Sequence, residues 1–378
     1  MYQKKKLVFF SHLAIPTHIT GAELYLLACL EQLSSSFQCT LISPENGMLV
    51  KQCQEIEVET IILPYPMLWG MWKPTKNLKK KQKKLTKDPS IRTISQLLHD
   101  LQADAVITNS CINIIPALAA TINQLPVSWI IHETIENNTY TDDATDFIIH
   151  HSTHLIGVSK TVLQPFYQQG SEPMLVYPFS KHVKAAINEQ EQSRFFRKLH
   201  GISEDAIVIG FAAAQITKEK GVHDFLYLAE TLQRQNVMFT LIGHLPEGDS
   251  LRPFIKQSNI RHFAFIEEIV DWYSAIDMLI VPSLINEGFP LTGLEASFYG
   301  KPVIAYRSGG LIEQMESLEN EDYLVAQGDR TALLRKVRGL IDSSTLRTQI
   351  GDKLREKSRK LYGEERFRLQ INHWCQQL

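Results

Sequence analysis

Two carboxylates, Glu287 and Glu295, bracket a stretch that also holds Gly288 and Pro290: NEGFPLTGLEASFYGKPVIAY, residues 286–306. Ionised carboxylates only accept hydrogen bonds, so they suit ligands rich in hydroxyls. Local pattern supplies the elements around them. DMLIVPS (277–283) is a short apolar run rich in branched residues, as in a buried parallel strand. Pro290 fits the first turn of a helix, where its missing N–H is no loss. LTGLEASFY reads as that helix, Gly300 as its C-terminal cap before Lys301-Pro302, and VIAY as the next strand. Glu287 then lies in a strand-to-helix loop and Glu295 in the second helical turn. A helix start behind a parallel strand favours phosphate. A carboxylate repels phosphate, so Glu287 is expected to face another group, and polyol beside phosphate describes a sugar phosphate or sugar nucleotide. Spacing alone equally allows a plain loop residue at 287 and a solvated, dipole-complementing glutamate at 295.

A second cluster is QITKEKGVHDFL (215–226), behind the strand-like IVIGFAAA. Lys218 and Lys220 precede Gly221 at a strand-to-helix turn, where a lysine can neutralise a diphosphate. An exposed charged turn is the plainer reading.

The elements that must position these groups alternate between strand-like and helix-like patterns along nearly the whole chain. KLVFF, QCTLIS, ETIIL, DAVITNS, VSWIIHE and THLIGVS are strand-like in the first half; AIVIGFAAA, MFTLIG, RHFAFI, DMLIVPS and VIAY follow in the second. TALLRKVRGLIDSSTLRTQIGDKLREKSRKL near the end is helical by pattern. Such alternation predicts an α/β protein of two doubly wound, Rossmann-like domains, with ligands at the carboxyl ends of strands in the cleft they face. The expected domains are 1–178, 179–355, and a helical segment 356–378.

With 378 residues and a net charge of −2, the chain has room for two full cores and no bulk charge for nucleic acid. No run reaches membrane-spanning length, and KLVFFSH reads as a first strand rather than a signal peptide. The five cysteines are scattered without a C-x-x-C pair, which argues against zinc or a disulfide framework and for a reducing cytosol. Composition departs from the ordinary at Lys73–Lys87, more than half lysine, after the aromatic stretch YPMLWGMW. A solvated face is one reading. The other is a peripheral contact with anionic membrane, Trp69 and Trp72 in the headgroup layer and the lysines on lipid.

PSLINEGFPLTGLEASFYGKPVIAYRSGGLIE resembles the signature of the retaining family-four glycosyltransferases of the GT-B fold: Glu, seven residues, Glu, a GKPVIA-like strand and a GG-x-x-E turn. E-K-G at 219–221, TLIGH, FAFIEEIVDWYSAIDMLIVPS, TGAELYLLACLEQL, VSWIIHE and LIGVSK resemble further landmarks, more weakly in the N-terminal half. The resemblance implies transfer of a sugar from a nucleotide diphosphate, UDP or GDP foremost, to a hydroxyl of a glycan, lipid-linked or small-molecule acceptor. Anomeric configuration would be retained by front-face attack, without metal or other cofactor; the chain has no D-x-D cluster. It implies that Glu287 binds the transferred sugar, Glu295 the ribose, and Lys220 the leaving diphosphate. Gly288 and the backbone of Phe289, Pro290, Leu291 and Thr292 would lie near the sugar and diphosphate, and Gly243, Phe265 and Ile266 near the base. His132 would line the reaction centre, with Gly21 and Glu133 toward the acceptor; without the resemblance, His132 reads as a structural strand-end histidine.

Three departures stand out. Gln215 replaces the usual arginine at the diphosphate, leaving Lys220 and Lys218 to carry its charge. Ala264 stands for a glycine before the base segment, and Pro178-Phe179-Ser180 for a P-N-G turn. They keep open an alternative: a catalytically weak GT-B protein that binds sugar nucleotide or glycan as a structural partner. A nucleotide-sugar epimerase or phosphorylase on the same fold is the remaining rival. The reading places the protein in the cytoplasm, in cell-surface polysaccharide biosynthesis, with a peripheral site at the inner membrane face.

Overall fold

The computed structural model describes residues 4–180, 188–233, 236–245, 251, 255, 257–264, 266 and 269–378. The chain divides into two compact units, Met1–Phe179 with Glu364–Leu378, and Ser180–Gly363.

The first unit is built on a parallel sheet of β1 (Lys6–Phe10), β2 (Gln38–Ser43), β3 (Glu59–Ile62), β4 (Ala105–Asn109), β5 (Val127–Ile131), β6 (His154–Gly157) and β7 (Met174–Leu175). Their order is β3-β2-β1-β4-β5-β6-β7. The central strands are buried along nearly their full length, Leu7 to Phe10 and Ala105 to Asn109 included, which is why they read as unbroken apolar runs rather than alternations. Strand order reverses between β1 and β4, the position where open α/β sheets leave a crevice beyond their carboxyl ends. The helix Gly21–Leu33 after β1 opens with a capping box: Thr20 accepts from the Glu23 N–H while Glu23 accepts from the Thr20 N–H.

The last helix, Glu364–Cys375, completes this unit. Trp374 is fully buried and donates from Nε1 to Ser128 Oγ on β5 at 3.1 Å, and the Phe367 ring meets Tyr25 edge-on. The expected boundary at 356 falls inside the helix Ser344–Tyr362, and the chain changes unit only after Gly363. An apolar stripe on that helix (Ile350, Leu354) packs in the second unit, so no break occurs before the pattern ends.

The second unit carries β8 (Ile207–Gln215), β9 (Val237–His244), β10 (Ile260–Phe263), β11 (Met278–Val281), β12 (Val303–Tyr306) and β13 (Leu324–Val325), all parallel, in the order β10-β9-β8-β11-β12-β13. The reversal here falls between β8 and β11. Buried Arg197 donates to the carbonyls of Glu204, Ala206 and Ala275 and pairs with Asp277 at 2.9 Å, while Asp277 also accepts from Val208 N–H. This fork ties the helix Glu189–Leu199 to the starts of β8 and β11.

Three local expectations change. The C-terminal helical pattern is two helices, Arg330–Ile341 and Ser344–Tyr362, split where Ser343 accepts from the Leu346 N–H as an N-cap. A helix at Thr141–His150, unmarked in the sequence reading, joins β5 to β6. In YPMLWGMW the side chains of Tyr65, Leu68 and Met71 are core, Trp72 is half-buried, and Trp69 is the exposed ring, at 56%. The lysine-rich stretch forms the helix Leu78–Leu85, seated through buried Leu78 and Gln82 with its lysines outward.

Candidate active-site residues

Each sheet gathers polar side chains at its own point of strand reversal. In the second unit, β8 leads through a tight turn to the helix Val222–Thr231; the Lys220 and Gly221 N–H groups bond the Thr217 and Lys218 carbonyls. Gly221 sits at φ +79°, and any side chain there would run into the Pro282 carbonyl just past β11, so the turn closes against the neighbouring strand only with glycine. That contact brings Lys220 to Glu287. The ammonium nitrogen lies 2.7 and 3.0 Å from the two carboxylate oxygens, a bidentate ion pair with Lys220 35% and Glu287 13% exposed. Ser283 Oγ donates to the same carboxylate at 2.7 Å.

The loop bearing Glu287 is fixed from behind by the Ser308-Gly309-Gly310 turn. Ser308 Oγ donates to the Ile285 carbonyl at 2.6 Å and Gly310 N–H to the Glu287 carbonyl at 2.7 Å. A Cβ on Gly310 would collide with the Gly288 carbonyl. The helix Leu291–Phe298 follows, with Pro290 as N-cap, and closes on Gly300 N–H to Ser297 O and Lys301 N–H to Ala296 O. Phe289 and Leu291 are buried, Phe289 against Tyr362, whereas Gly288, Pro290 and Thr292 are half-buried.

Glu295 is buried within this helix, 3% exposed, and held at both oxygens: Ser180 Oγ donates to one and the Tyr273 hydroxyl to the other, at 2.7 Å for Tyr273. Ser180 is one of the two residues that depart from the P-N-G turn, with Phe179, and it reaches Glu295 across 115 positions of sequence. Gln215 is the exposed last residue of β8, in register with His244 across a bulge that starts at Ala212. Lys218 is exposed on the turn. Gly243 is the penultimate residue of β9, its carbonyl accepting from His262 Nε2 at 2.9 Å. Ile266 packs against the second unit's core, and Phe265 lies outside the described residues.

In the first unit the cluster is of another kind. His12 follows β1, Asn109 ends β4, and His132 and Glu133 follow β5. Gly21 is the exposed first residue of its helix. The carboxylate expected toward an acceptor, Glu133, is engaged by the protein itself: Ser110 Oγ donates to Oε1 and the Cys111 N–H to Oε2 at 3.0 Å. Burial opposes its ionisation, but neighbouring His12 and His132 and these two donors hold its pKa below the usual range. His132 is bonded through Nε2 to Asn109 Oδ1 at 2.6 Å and meets the edge of the Tyr25 ring. Burial lowers its pKa to about 4, more than Glu133 can offset, and burial lowers that of His12 as well. Sequence pattern does not mark Ser283, Tyr273 or Asn109, and marks Ser180 only as a departure from a turn; Ser180, Tyr273 and Asn109 act through partners distant in sequence, whereas Ser283 reaches Glu287 four residues on.

Residues 206–343, a little over a third of the chain, match the family described as "Glycosyl transferases group 1". Among curated relatives, the capsular polysaccharide biosynthesis glycosyltransferase CapM of Staphylococcus aureus is 23% identical over 218 residues, 54% of this chain and 57% of that protein. The N,N'-diacetylbacillosaminyl-diphospho-undecaprenol alpha-1,3-N-acetylgalactosaminyltransferase of Campylobacter jejuni is 28% identical over 131 residues, 34% of each chain. The chain thus spans about half of CapM and a third of the Campylobacter enzyme. Among solved structures, Anabaena HepE in complex with UDP-glucose superposes with a TM-score of 0.81 over 99% of this chain and 100% of its own, at 17% identity. A glycosyltransferase from Rickettsia africae gives 0.80 at 15% identity, over 100% and 99% of the two chains. The fold of two parallel-sheet α/β units is therefore that of GT-B glycosyltransferases, with the group 1 sequence match confined to the second unit.

Proposed function

We propose that the chain is a glycosyltransferase that moves a sugar from a nucleotide diphosphate donor to an acceptor hydroxyl, with retention of configuration and without a metal. The observation that carries this reading is the Lys220–Glu287 pair at the reversal between β8 and β11. A lone carboxylate there would repel a diphosphate; paired with a lysine, the site is neutral before donor arrives. When the diphosphate binds, the ammonium transfers to it, and the freed carboxylate accepts from the sugar hydroxyls. Lys220 then stabilises charge building on the departing diphosphate, and a diphosphate oxygen takes the acceptor's proton on the face the donor leaves. Glu295 would bind the ribose by exchanging the Ser180 or Tyr273 hydroxyl for a ribose hydroxyl, and the backbone at 288–292 and residues 243 and 266 border sugar, diphosphate and base. Gln215 donates a hydrogen bond where a cation would do more.

The relatives support the chemistry. HepE is solved with UDP-glucose, and the Campylobacter enzyme is named for a sugar acceptor on diphospho-undecaprenol. UDP- or GDP-sugars are therefore the first donors to test, and glycan or lipid-linked sugars the first acceptors, in cell-surface polysaccharide assembly on the cytoplasmic side. Titration calorimetry with UDP-, GDP- and ADP-sugars tests donor binding: micromolar to millimolar affinity for one nucleotide is expected, and none at millimolar concentration would falsify the reading. Proton NMR of the product gives the anomer, and turnover unchanged by EDTA is expected. Inversion, or loss of turnover that Mg²⁺ restores, would remove those parts of it.

The same reading includes peripheral contact with anionic membrane. Trp69 is exposed, Lys73 lies over the Trp72 ring at 4.7 Å, and the lysines of the helix Leu78–Leu85 face outward; each basic residue near an anionic surface adds about 1 kcal/mol. Flotation with vesicles containing phosphatidylglycerol is expected to recover the protein, and serine at Lys80, Lys81, Lys83 and Lys84 to release it. Equal recovery of both removes the membrane contact.

A further inference from the structure

Asn109 is fully buried at the end of β4, and its amide has two partners in the first unit. Nδ2 donates to the Ala22 carbonyl at 3.2 Å, in the first turn of the helix after β1, and Oδ1 lies 2.6 Å from His132 Nε2. A carbonyl can only accept, so the Ala22 contact fixes which way the amide faces. The atom presented to His132 is then the amide oxygen, also an acceptor only, and His132 Nε2 must carry the proton. In the neutral ring, Nδ1 is left bare.

We propose that Asn109 is a positioning residue that holds His132 in its Nε2–H tautomer, so that His132 meets its ligand through Nδ1 as a hydrogen-bond acceptor. The ligand group it takes is then a hydroxyl or N–H, such as a sugar hydroxyl, and never a phosphate oxygen. Through the Ala22 carbonyl the same amide ties His132 to the helix start that carries Gly21, so both move as one piece. The titratable groups around His132 are Glu133, His12 and the Tyr25 hydroxyl. Glu133 is occupied by Ser110 and Cys111, and Tyr25 donates to the Val176 carbonyl at 3.2 Å. Asn109 is thus the side chain bonded to the ring's Nε2. A neutral ring is also what burial favours here, since the His132 pKa lies about 4.

Two variants separate positioning from packing. Asn109→Leu keeps the volume and removes both hydrogen bonds; Asn109→Asp keeps the acceptor and adds a charge that stabilises imidazolium. Nitrogen-15 NMR of histidine-labelled, full-length protein, with His132→Gln for assignment, reads the tautomer directly. Wild type is expected to show bare Nδ1 and protonated Nε2, and Asn109→Leu a mixture. The activity arm rests on the glycosyltransferase reading: kcat is expected to fall about tenfold in Asn109→Leu with the donor KM within twofold. In Asn109→Asp, the Nε2–H signal is expected to return and the acid limb of the kcat–pH profile to move up by at least one pH unit. A wild-type ring protonated at Nδ1, or an Asn109→Leu spectrum like wild type, overturns the proposal. If Asn109→Leu does not fold, the wild-type spectrum and the Asn109→Asp profile still decide it. Should wild type turn over no nucleotide sugar, the functional reading fails alone and the spectra still settle the tautomer.

Discussion

The two units share a parallel-sheet plan and place their polar clusters at the same topological point, yet fill it with opposite chemistry. Beyond β8 and β11 stands an ion pair, Lys220 on Glu287, partly open to solvent. Beyond β1, β4 and β5 stand histidines kept neutral by burial, one of them locked to an amide. The difference teaches how one architecture divides labour. On the reading proposed above, a site that holds a diphosphate leaving group needs a mobile cation and an anion to park it on. One that must orient hydroxyls needs neutral, directional acceptors whose protonation does not drift at working pH.

The largest expected effect lies on the ionic side. On the proposed reading Lys220→Ala removes the cation from the diphosphate, and kcat is expected to fall about 10²–10³-fold with only a small drop in thermal midpoint, because Lys220 is 35% exposed and Ser283 still donates to Glu287. Steady-state kinetics beside a melting curve checks both halves; a large drop in stability with full turnover would invert the comparison. Glu295→Ala should act on fold as well as chemistry. It leaves the Ser180 and Tyr273 hydroxyls without their acceptor inside the second unit, about 1–3 kcal/mol of destabilisation by urea titration, together with weaker donor binding.

The neutral side has its own signature in pH. His132 has a folded pKa of about 4 against 6.5 for the free side chain, and that of His12 is lowered too. Below 6.5 the unfolded chain takes up protons that the folded chain refuses, so stability falls as pH drops from 6.5 toward 4. Chemical denaturation from pH 7.5 to 4.5 should show this decline, and His132→Gln should make it shallower. A slope unaffected by that change would mean the imidazole is not the group refusing the proton. The smallest effect expected is a gain: Gln215→Arg adds a cation at the exposed end of β8 and should tighten nucleotide binding about three- to tenfold, more at low salt than at high.

Much of the ionic side was legible in the sequence, because its grammar is local. Strand, loop, proline, helix and glycine cap between Asp277 and Tyr306 each follow from neighbouring residues, and the structure reproduces that succession at β11, the helix Leu291–Phe298 and β12. The partners that hold the carboxylates were not legible. Ser180 and Tyr273 reach Glu295 from 115 and 22 residues away, and Asn109 reaches His132 from 23, distances at which no periodicity operates. At YPMLWGMW composition did not separate core from surface: Tyr65, Leu68 and Met71 are buried and Trp69 is exposed, since apolar content says nothing about which face a neighbouring helix will cover. The split at Ser343 was readable in retrospect: a serine before a fresh apolar period is a cap signal, overridden by the strong helical pattern on both sides.

The return of the helix Glu364–Cys375 to the first sheet bears on how the protein is made. On the ribosome, the second unit is one uninterrupted stretch and can close as soon as Gly363 has cleared the exit tunnel. The first unit, synthesised earlier, must wait for residues made after all of the second, since Trp374 fills its core beside Ser128. Its nascent sheet therefore spends the translation of 180–363 with an apolar seam uncovered, at about 5–20 residues per second. Chaperone dependence during synthesis should concentrate there, and a stall or truncation before residue 364 would damage the unit encoded first.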